Sequence, residues 1–226
     1  IAFPNGTSNA VFSSPDDTQV LMWPGTAPSE ERVFLGESVD IIDLFGARTV
    51  APLEEGENVF VVKDAPVVLT GVDPAVVDTR TTFSLEPEVI DSVYEMQAMY
   101  VTFTNKFASP VVGELRLHLP SGWEAQPDIF FVRLRPGEAF RARANLVVPY
   151  NALAGQQDIG ATLQLGETGV RKITLVQRRQ LASKAFKPEI ETRLSAGNVL
   201  VYQKVTNISD RPVDISSFLE GEGMER

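Results

Sequence analysis

Two tryptophans, one histidine and a few acidic pairs are the side chains in this sequence with chemistry to offer. Trp123, within Ser121-Gly-Trp-Glu-Ala125, and Trp23, closing Gln19-Val-Leu-Met-Trp23, are the candidate carbohydrate contacts, because a flat indole can stack on a pyranose face. The competing use of each ring is burial. A tryptophan after a turn or at a strand end can cap a sandwich core, removing about 150–250 Å² from water. We read both rings in that second way. A binding stripe needs two or three exposed aromatics in line, and the sequence does not set Phe130, Phe131 and Tyr150 in one.

Carboxylates pair at Asp16-Asp17, Glu30-Glu31, Glu54-Glu55 and Glu86/Glu88. Hydrolysis of a glycoside needs two carboxyls about 5–10 Å apart across a cleft. These pairs lie in turn compositions, where solvated charge is expected, so no catalytic residue is assigned. Asp16-Asp17 or Asp40/Asp43 could lend loop oxygens to a structural calcium, but nothing has EF-hand spacing, and no cofactor is assigned. His118 stands between Leu117 and Leu119, which places it on the opposite, wet face of a strand. No Ser or Cys nucleophile motif accompanies it, so it is not read as a general base. A phosphate loop of the Gly-x4-Gly-Lys type is absent, and Asn5-Gly-Thr7 and Asn207-Ile-Ser209 match only the short glycosylation triplet.

The elements that must position these residues follow from composition and periodicity. A sequence of 226 residues with 43% apolar content is enough to bury more than one core. Its net charge of −10, with arginines scattered at Arg133, Arg135, Arg141 and Arg143 or paired at Arg178-Arg179, argues against nucleic acid as a partner. Without cysteine there are no disulfides or thiolate metal sites, and His118 alone leaves little for zinc. No apolar run approaches the roughly 20 residues of a membrane span. The sequence opens at Ile1 with neither Met nor a signal pattern, and it reads as a piece of a longer protein.

Residues 99–149 alternate apolar and polar side chains in four runs, each closed by a Pro- or Gly-bearing turn, as half-buried antiparallel strands do. Residues 1–73 form a first unit of short strands at 11–12, 19–23, 32–35, 39–44, 58–62 and 67–72, separated by turn compositions. Gly46 supplies a left-handed turn after the run 39–45, with Phe45 packing inward. Asp73-Pro74 and the small residues after it, through Thr79, read as a turn and a boundary. A second unit occupies residues 81–165, extending within bounds of 74–181.

Residues 88–99 are ambiguous, because Val89, Val93 and Met96 have helix-like offsets. An internal repeat resolves them. Tyr100-x4-Asn105-x4-Pro110-Val111 recurs as Tyr202-x4-Asn207-x4-Pro212-Val213, and Pro87-Glu88-Val89 is echoed by Pro188-Glu189-Ile190. The second copy passes through Gly197-Asn198, a strand-turn-strand signal, so the first copy is read the same way. Residues 182–226 are then the start of a further sandwich, cut short.

Two resemblances follow from these residues. Gln19-Val-Leu-Met-Trp23, Val39-Asp-Ile-Ile-Asp-Leu-Phe-Gly46, the run 58–62 and Ala65-Pro-Val-Val-Leu-Thr-Gly71 resemble, in order, the small β-sandwich appended to the catalytic barrel of clan-A type glycoside hydrolases. Val101-Thr-Phe-Thr-Asn105, Val112-Gly-Glu-Leu-Arg-Leu-His-Leu-Pro120, Ser121-Gly-Trp-Glu-Ala125, Leu134-Arg-Pro-Gly-Glu138 and Val147-Val-Pro149 are similar to the NEW3-type Ig-like domain associated with bacterial α-galactosidases. The expected fold is all-β, tandem antiparallel sandwiches with the middle one Ig-like. The resemblances imply a non-catalytic accessory or spacer region of a large, secreted or surface-associated bacterial hydrolase, packed against its catalytic barrel. Two alternatives stay open: a module that binds polysaccharide, and an Ig-like repeat region of a surface adhesion or assembly protein.

Overall fold

The structure, a computed structural model, describes residues 1–14, 17–25, 27–166, 171–183, 185–195, 198–210 and 212. Its first eight strands are β1 (Ser8–Ser13), β2 (Thr18–Trp23), β3 (Ser29–Val33), β4 (Asp40–Ile42), β5 (Arg48–Val50), β6 (Leu53–Glu54), β7 (Glu57–Val62) and β8 (Val67–Thr70). They form a five-stranded sheet in the order β1-β2-β8-β4-β5 and a three-stranded sheet β3-β7-β6. Val20, Met22 and Leu69 from one sheet meet Val33, Phe60 and Val62 from the other in a single core. Burial alternates along Thr18–Trp23, with Val20 and Met22 inward and Leu21 half-buried between them. Glu55 and Gly56 both take positive φ, the turn geometry that closes the tight β6–β7 hairpin.

A helix follows where the sequence suggested a turn. α1 spans Pro74–Thr82, with Asp73 as its N-cap accepting from the Ala75 amide at 2.9 Å and Pro74 in its first turn. The cap and the proline are good start signals. Between them and Phe83, however, lie Val76, Val77, Thr79, Thr81 and Thr82, β-branched residues of low helix propensity, which hide the helix from a reading of composition. Burial on both sides supports it instead. Val77 enters the first core, while its neighbour Val76 enters the second.

The second set of strands is β9 (Ser84–Glu86), β10 (Val89–Asp91), β11 (Gln97–Thr104), β12 (Val111–His118), β13 (Glu124–Gln126), β14 (Ile129–Leu134), β15 (Ala139–Val147), β16 (Gly155–Leu165) and β17 (Arg171–Ala182). They build the sheets β10-β17-β16-β12-β14 and β13-β15-β11-β9. All ladders here are antiparallel except β10 with β17, which run parallel. Met99, Val101 and Phe103 of β11 face Leu115, Leu163, Ile173 and Leu175 across the second core. Residues 88–99 are strand, turn and strand, as the repeat indicates. At the end of β11 the buried Asn105 accepts from the Phe107 amide at 2.9 Å and donates to the Ser109 and Leu134 carbonyls, so it bonds its own turn.

β9 pairs with β11 on one side only. On its other side two β17 side chains stand where a neighbouring strand would. Gln177 accepts from the Leu85 amide at 2.9 Å and donates to the Phe83 carbonyl at 2.6 Å, and Arg179 Nε donates to the Leu85 carbonyl at 2.8 Å. A last pair, β18 (Phe186–Ser195) and β19 (Asn198–Asn207), forms a separate two-stranded antiparallel sheet. Residue 197 of the Gly197-Asn198 turn and Val213 of the repeat lie outside the described residues.

Several placements differ from expectation. Phe45 is 95% exposed rather than packed inward. The strand stops at Ile42, and Asp43 Oδ1 accepts from the Phe45 and Ala47 amides to make a turn closed by Gly46 at φ +84°, which leaves the ring in solvent. Glu30-Glu31 is not in a turn but within β3, and Glu86 lies in β9.

Candidate functional site

Trp123 follows Gly122, whose φ of +79° lets the turn bring the Trp123 amide onto the Pro120 carbonyl at 3.1 Å. The turn delivers the indole into the second core, where it is 7% exposed. Its remaining edge helps line an open cleft of about 630 Å³, together with Met96, Leu119, Gln126, Asp128 and Asn145. Asn145 Oδ1 is buried there without a hydrogen-bond partner. A ring held within that core is structural first.

Trp23 departs from the expected burial. It ends β2 at 36% exposure, paired across the ladder with Ser8. The inward positions of β2 are Val20 and Met22, and Trp23 has the opposite parity, so its strand position sends it outward. Trp23 does not line the Trp123 cleft. Phe130 is buried, while its neighbour Phe131 points to solvent and Tyr150 is exposed.

The carboxylates have structural partners. Glu30 and Glu54 flank Arg32 at 2.8 and 3.0 Å, Glu86 meets Arg141 at 2.9 Å, and Asp40 lies 3.5 Å from Arg48. Asp43 is committed to its turn, and Asp16 lies outside the described residues. Among the described residues no three His, Asp or Glu side chains converge as a metal group. None of the described helices is long and apolar enough to cross a membrane.

His118 sits on the wet face of β12, as its flanking leucines indicate, with Nε2 2.7 Å from Thr162 Oγ1. Partial burial lowers its pKa from 6.5, helped by the Arg116 and Lys172 charges. The folded protein therefore prefers the neutral ring, and the unfolded chain takes up the proton first as pH falls. Stability linked to this group is complete above the ordinary value of 6.5 and is lost as pH falls through the lower folded value. An NMR titration of this sole histidine should give a midpoint below 6.5, and His118→Gln should remove that part of the acid dependence. A midpoint at or above 6.5 would contradict the geometry.

Among the described residues an extensive buried polar arrangement lies elsewhere, in and beside the joint between the sandwiches. Glu31 is fully buried and accepts from the Asn5 and Thr7 amides, each at 3.0 Å, and from the Thr7 hydroxyl at 2.5 Å. Those bonds tie the N-terminal segment to β3. Arg80 of α1 is buried as well, with Nε and Nη2 lacking a protein partner. Burial pulls its pKa down to about 10 against the opposing influence of the Glu57 and Glu31 carboxylates, so it stays protonated at neutral pH. Glu57 in turn accepts from Thr174 of β17 at 2.7 Å, and Lys172 lies 3.9 Å away. Arg171 reaches Glu37 at 3.3 Å, and Phe34 crosses from the first sandwich into the second core. Above the joint, Ala2, Phe3, Thr7, Gln177, Arg178 and Arg179 line a cleft of about 410 Å³. Sequence reasoning missed this set, since its charges look like ordinary surface pairs; the one available signal was Asp73-Pro74 as a helix start.

These features define an all-β protein of stacked antiparallel sandwiches whose principal polar network is a structural joint. Residues 95–166, from the loop before β11 to the end of β16, match the family described as the NPCBM-associated, NEW3 domain of alpha-galactosidase. That is the region whose motifs resemble the NEW3-type domain in the sequence. Among curated proteins none matches this one.

Proposed function

We propose that this protein is a non-catalytic accessory region of a large, secreted or surface-exposed bacterial glycoside hydrolase, acting as a stiff spacer packed against its catalytic barrel. The reading takes residues 1–73 as the appended sandwich of a clan-A type hydrolase, 74–181 as the Ig-like NEW3-type unit, and 182–226 as the start of another. The family matched at residues 95–166 supports the link to a hydrolase. The observation that carries the spacer role is α1, which sends Val76 into one core and Val77 into the other. A spacer that transmits position needs its units coupled in this way, where a flexible linker would leave them to move independently.

The test has two arms. The isolated 226-residue protein should give no turnover of aryl α-galactosides or other aryl glycosides above background, and it should melt in one transition across both sandwiches. Deleting the region from the parent should lower the melting temperature of the catalytic barrel while leaving kcat/KM on a soluble aryl glycoside intact wherever the barrel still folds. Turnover by the isolated region, or deletion without any effect on the barrel, would overturn the proposal.

One observation favours a second reading, that of a carbohydrate-binding module. The Trp123 cleft holds a buried acceptor, Asn145 Oδ1, with no protein donor. On that reading glycan binding is lost in Asn145→Ala with the fold retained; Trp123→Ala is the poorer probe because the ring is core.

A further inference from the structure

The hairpin β18–β19 divides its residues between two unlike faces. Opposed positions of its register put Ile190, Leu194, Val199, Val201 and Val205 on one side. The other side is laced with ion pairs, Lys204–Glu189 at 3.2 Å and Arg193–Glu191 at 2.8 Å among them. On the apolar side Leu194 is 78% exposed and Val199 66%. An isolated two-stranded ribbon is marginal in water, and a face of this composition belongs in a core.

β19 repeats two local features of β11, the strand-end turn and a tyrosine under a guanidinium from a neighbouring strand (β15 for Tyr100, β18 for Tyr202). In each strand an asparagine at the end accepts from the amide two residues on at 2.9 Å: Asn105 from Phe107 and Asn207 from Ser209. Each tyrosine carries a guanidinium over its ring, Arg141 at 4.4 Å from Tyr100 and Arg193 at 5.6 Å from Tyr202. Aligned at those tyrosines, Val201 and Val205 fall on Met99 and Phe103, the residues that β11 buries against the sheet β10-β17-β16-β12-β14. That sheet begins with β12, a few residues past Asn105, at Val111. At the same offset Val213 and Leu219 fall on Val111 and Leu117 of β12, and Ile215 keeps their parity at the position of Gly113, while Ser217 stands at that of Leu115.

We propose that β18–β19 is the opening pair of a further sandwich of the same kind, and that its apolar face docks a second sheet built from the residues that follow Pro212. The ionic face then stays outside the core, as the half-buried Tyr100 face of β11 does. This inference deepens the reading of residues 182–226 as the start of another unit; it rests on the repeat and on the two faces of the hairpin, and not on the link to a hydrolase.

The sequence contains no cysteine, so introduced thiols report position without background. Single variants Leu194→Cys and Val199→Cys place a thiol on the apolar face, and Glu191→Cys places one on the ionic face. Maleimide labelling of the first two should be about a hundredfold or more slower in the full-length protein than in the 226-residue region, with Glu191→Cys equal in both. Hydrogen exchange at the Val201 and Val205 amides of the unaltered proteins should show the same protection, which guards against a variant that fails to fold. Equal labelling and exchange in both proteins would overturn the inference. So would protection in the 226-residue region that grows with its concentration, because a second copy would then be the cover.

Discussion

Glu31→Ala should destabilise the protein by about 3–5 kcal/mol, the cost of breaking a buried charge arrangement by removing one member. The carboxylate accepts two amides and a hydroxyl in a fully buried position, and it lends negative charge to the buried Arg80. Alanine leaves the Asn5 and Thr7 amides and the Thr7 hydroxyl without their acceptor, and it weakens the compensation of a guanidinium that stays charged at neutral pH. For a protein of this size each kcal/mol shifts the melting temperature by about 2–4 °C, so calorimetry should show a fall of roughly 10 °C. Glu31→Gln keeps an acceptor oxygen and should lose less. Combining Glu31→Ala with Arg80→Met should cost less than the sum of the single changes, since the second change removes the charge that the first leaves poorly compensated. Additive losses, or a fall under about 2 °C for Glu31→Ala, would show that the network contributes little.

Gly113→Ala should be comparably damaging for a different reason. Gly113 lies mid-strand in β12, opposite Val132 on one side and Leu165 on the other. A Cβ at this position would collide with the Gln164 carbonyl oxygen and sit 3.1 Å from Leu165 Cα, both backbone atoms of the paired strand β16. A methyl group has no rotamer that avoids the clash, so the two central strands must separate and break ladder bonds. The expected loss is about 3 kcal/mol or more, the upper range for overpacking. Gly46→Ala is the matched control. A Cβ there meets nothing within 4 Å, and only the φ of +84° resists it, at about 1–2 kcal/mol. Urea denaturation of the two variants should rank Gly113→Ala well below Gly46→Ala; the reverse order would mean that strand spacing yields more easily than the left-handed turn.

The strands were largely legible because their information is local. Gln97–Thr104 alternates, and the structure buries Met99, Val101 and Phe103 on the face that alternation selects; Thr18–Trp23 was legible only as a short apolar run between turns, of which the structure buries Val20 and Met22. The Asn-bearing strand ends were legible too, through a repeat whose copies share the same asparagine-centred turn. Trp123 was legible as a core residue because its Pro-Ser-Gly approach constrains where the ring can go. What could not be read was long-range. The helical state of Pro74–Thr82 depends on two cores that its own residues do not encode, and its valines would suit a strand equally well. Glu31 looks like half of a surface pair until Asn5 and Thr7 are brought back over β3. Trp23 turns outward because its parity is opposite to that of Val20 and Met22, which an unbroken apolar run does not reveal, and Phe45 does so because β4 stops at Ile42, a matter of a few residues that composition does not settle.

The lateral bonds from Gln177 and Arg179 to the β9 backbone have a consequence for solubility. A bare strand margin offers a row of amides and carbonyls on which another molecule can add a strand of its own. Here the outward amide and carbonyl of Leu85 are already engaged by side chains of the same fold. That margin is closed to strand addition at Leu85 by side chains of the same fold, with Pro87 directly after the strand, and truncating either side chain would leave a Leu85 backbone group open to another strand.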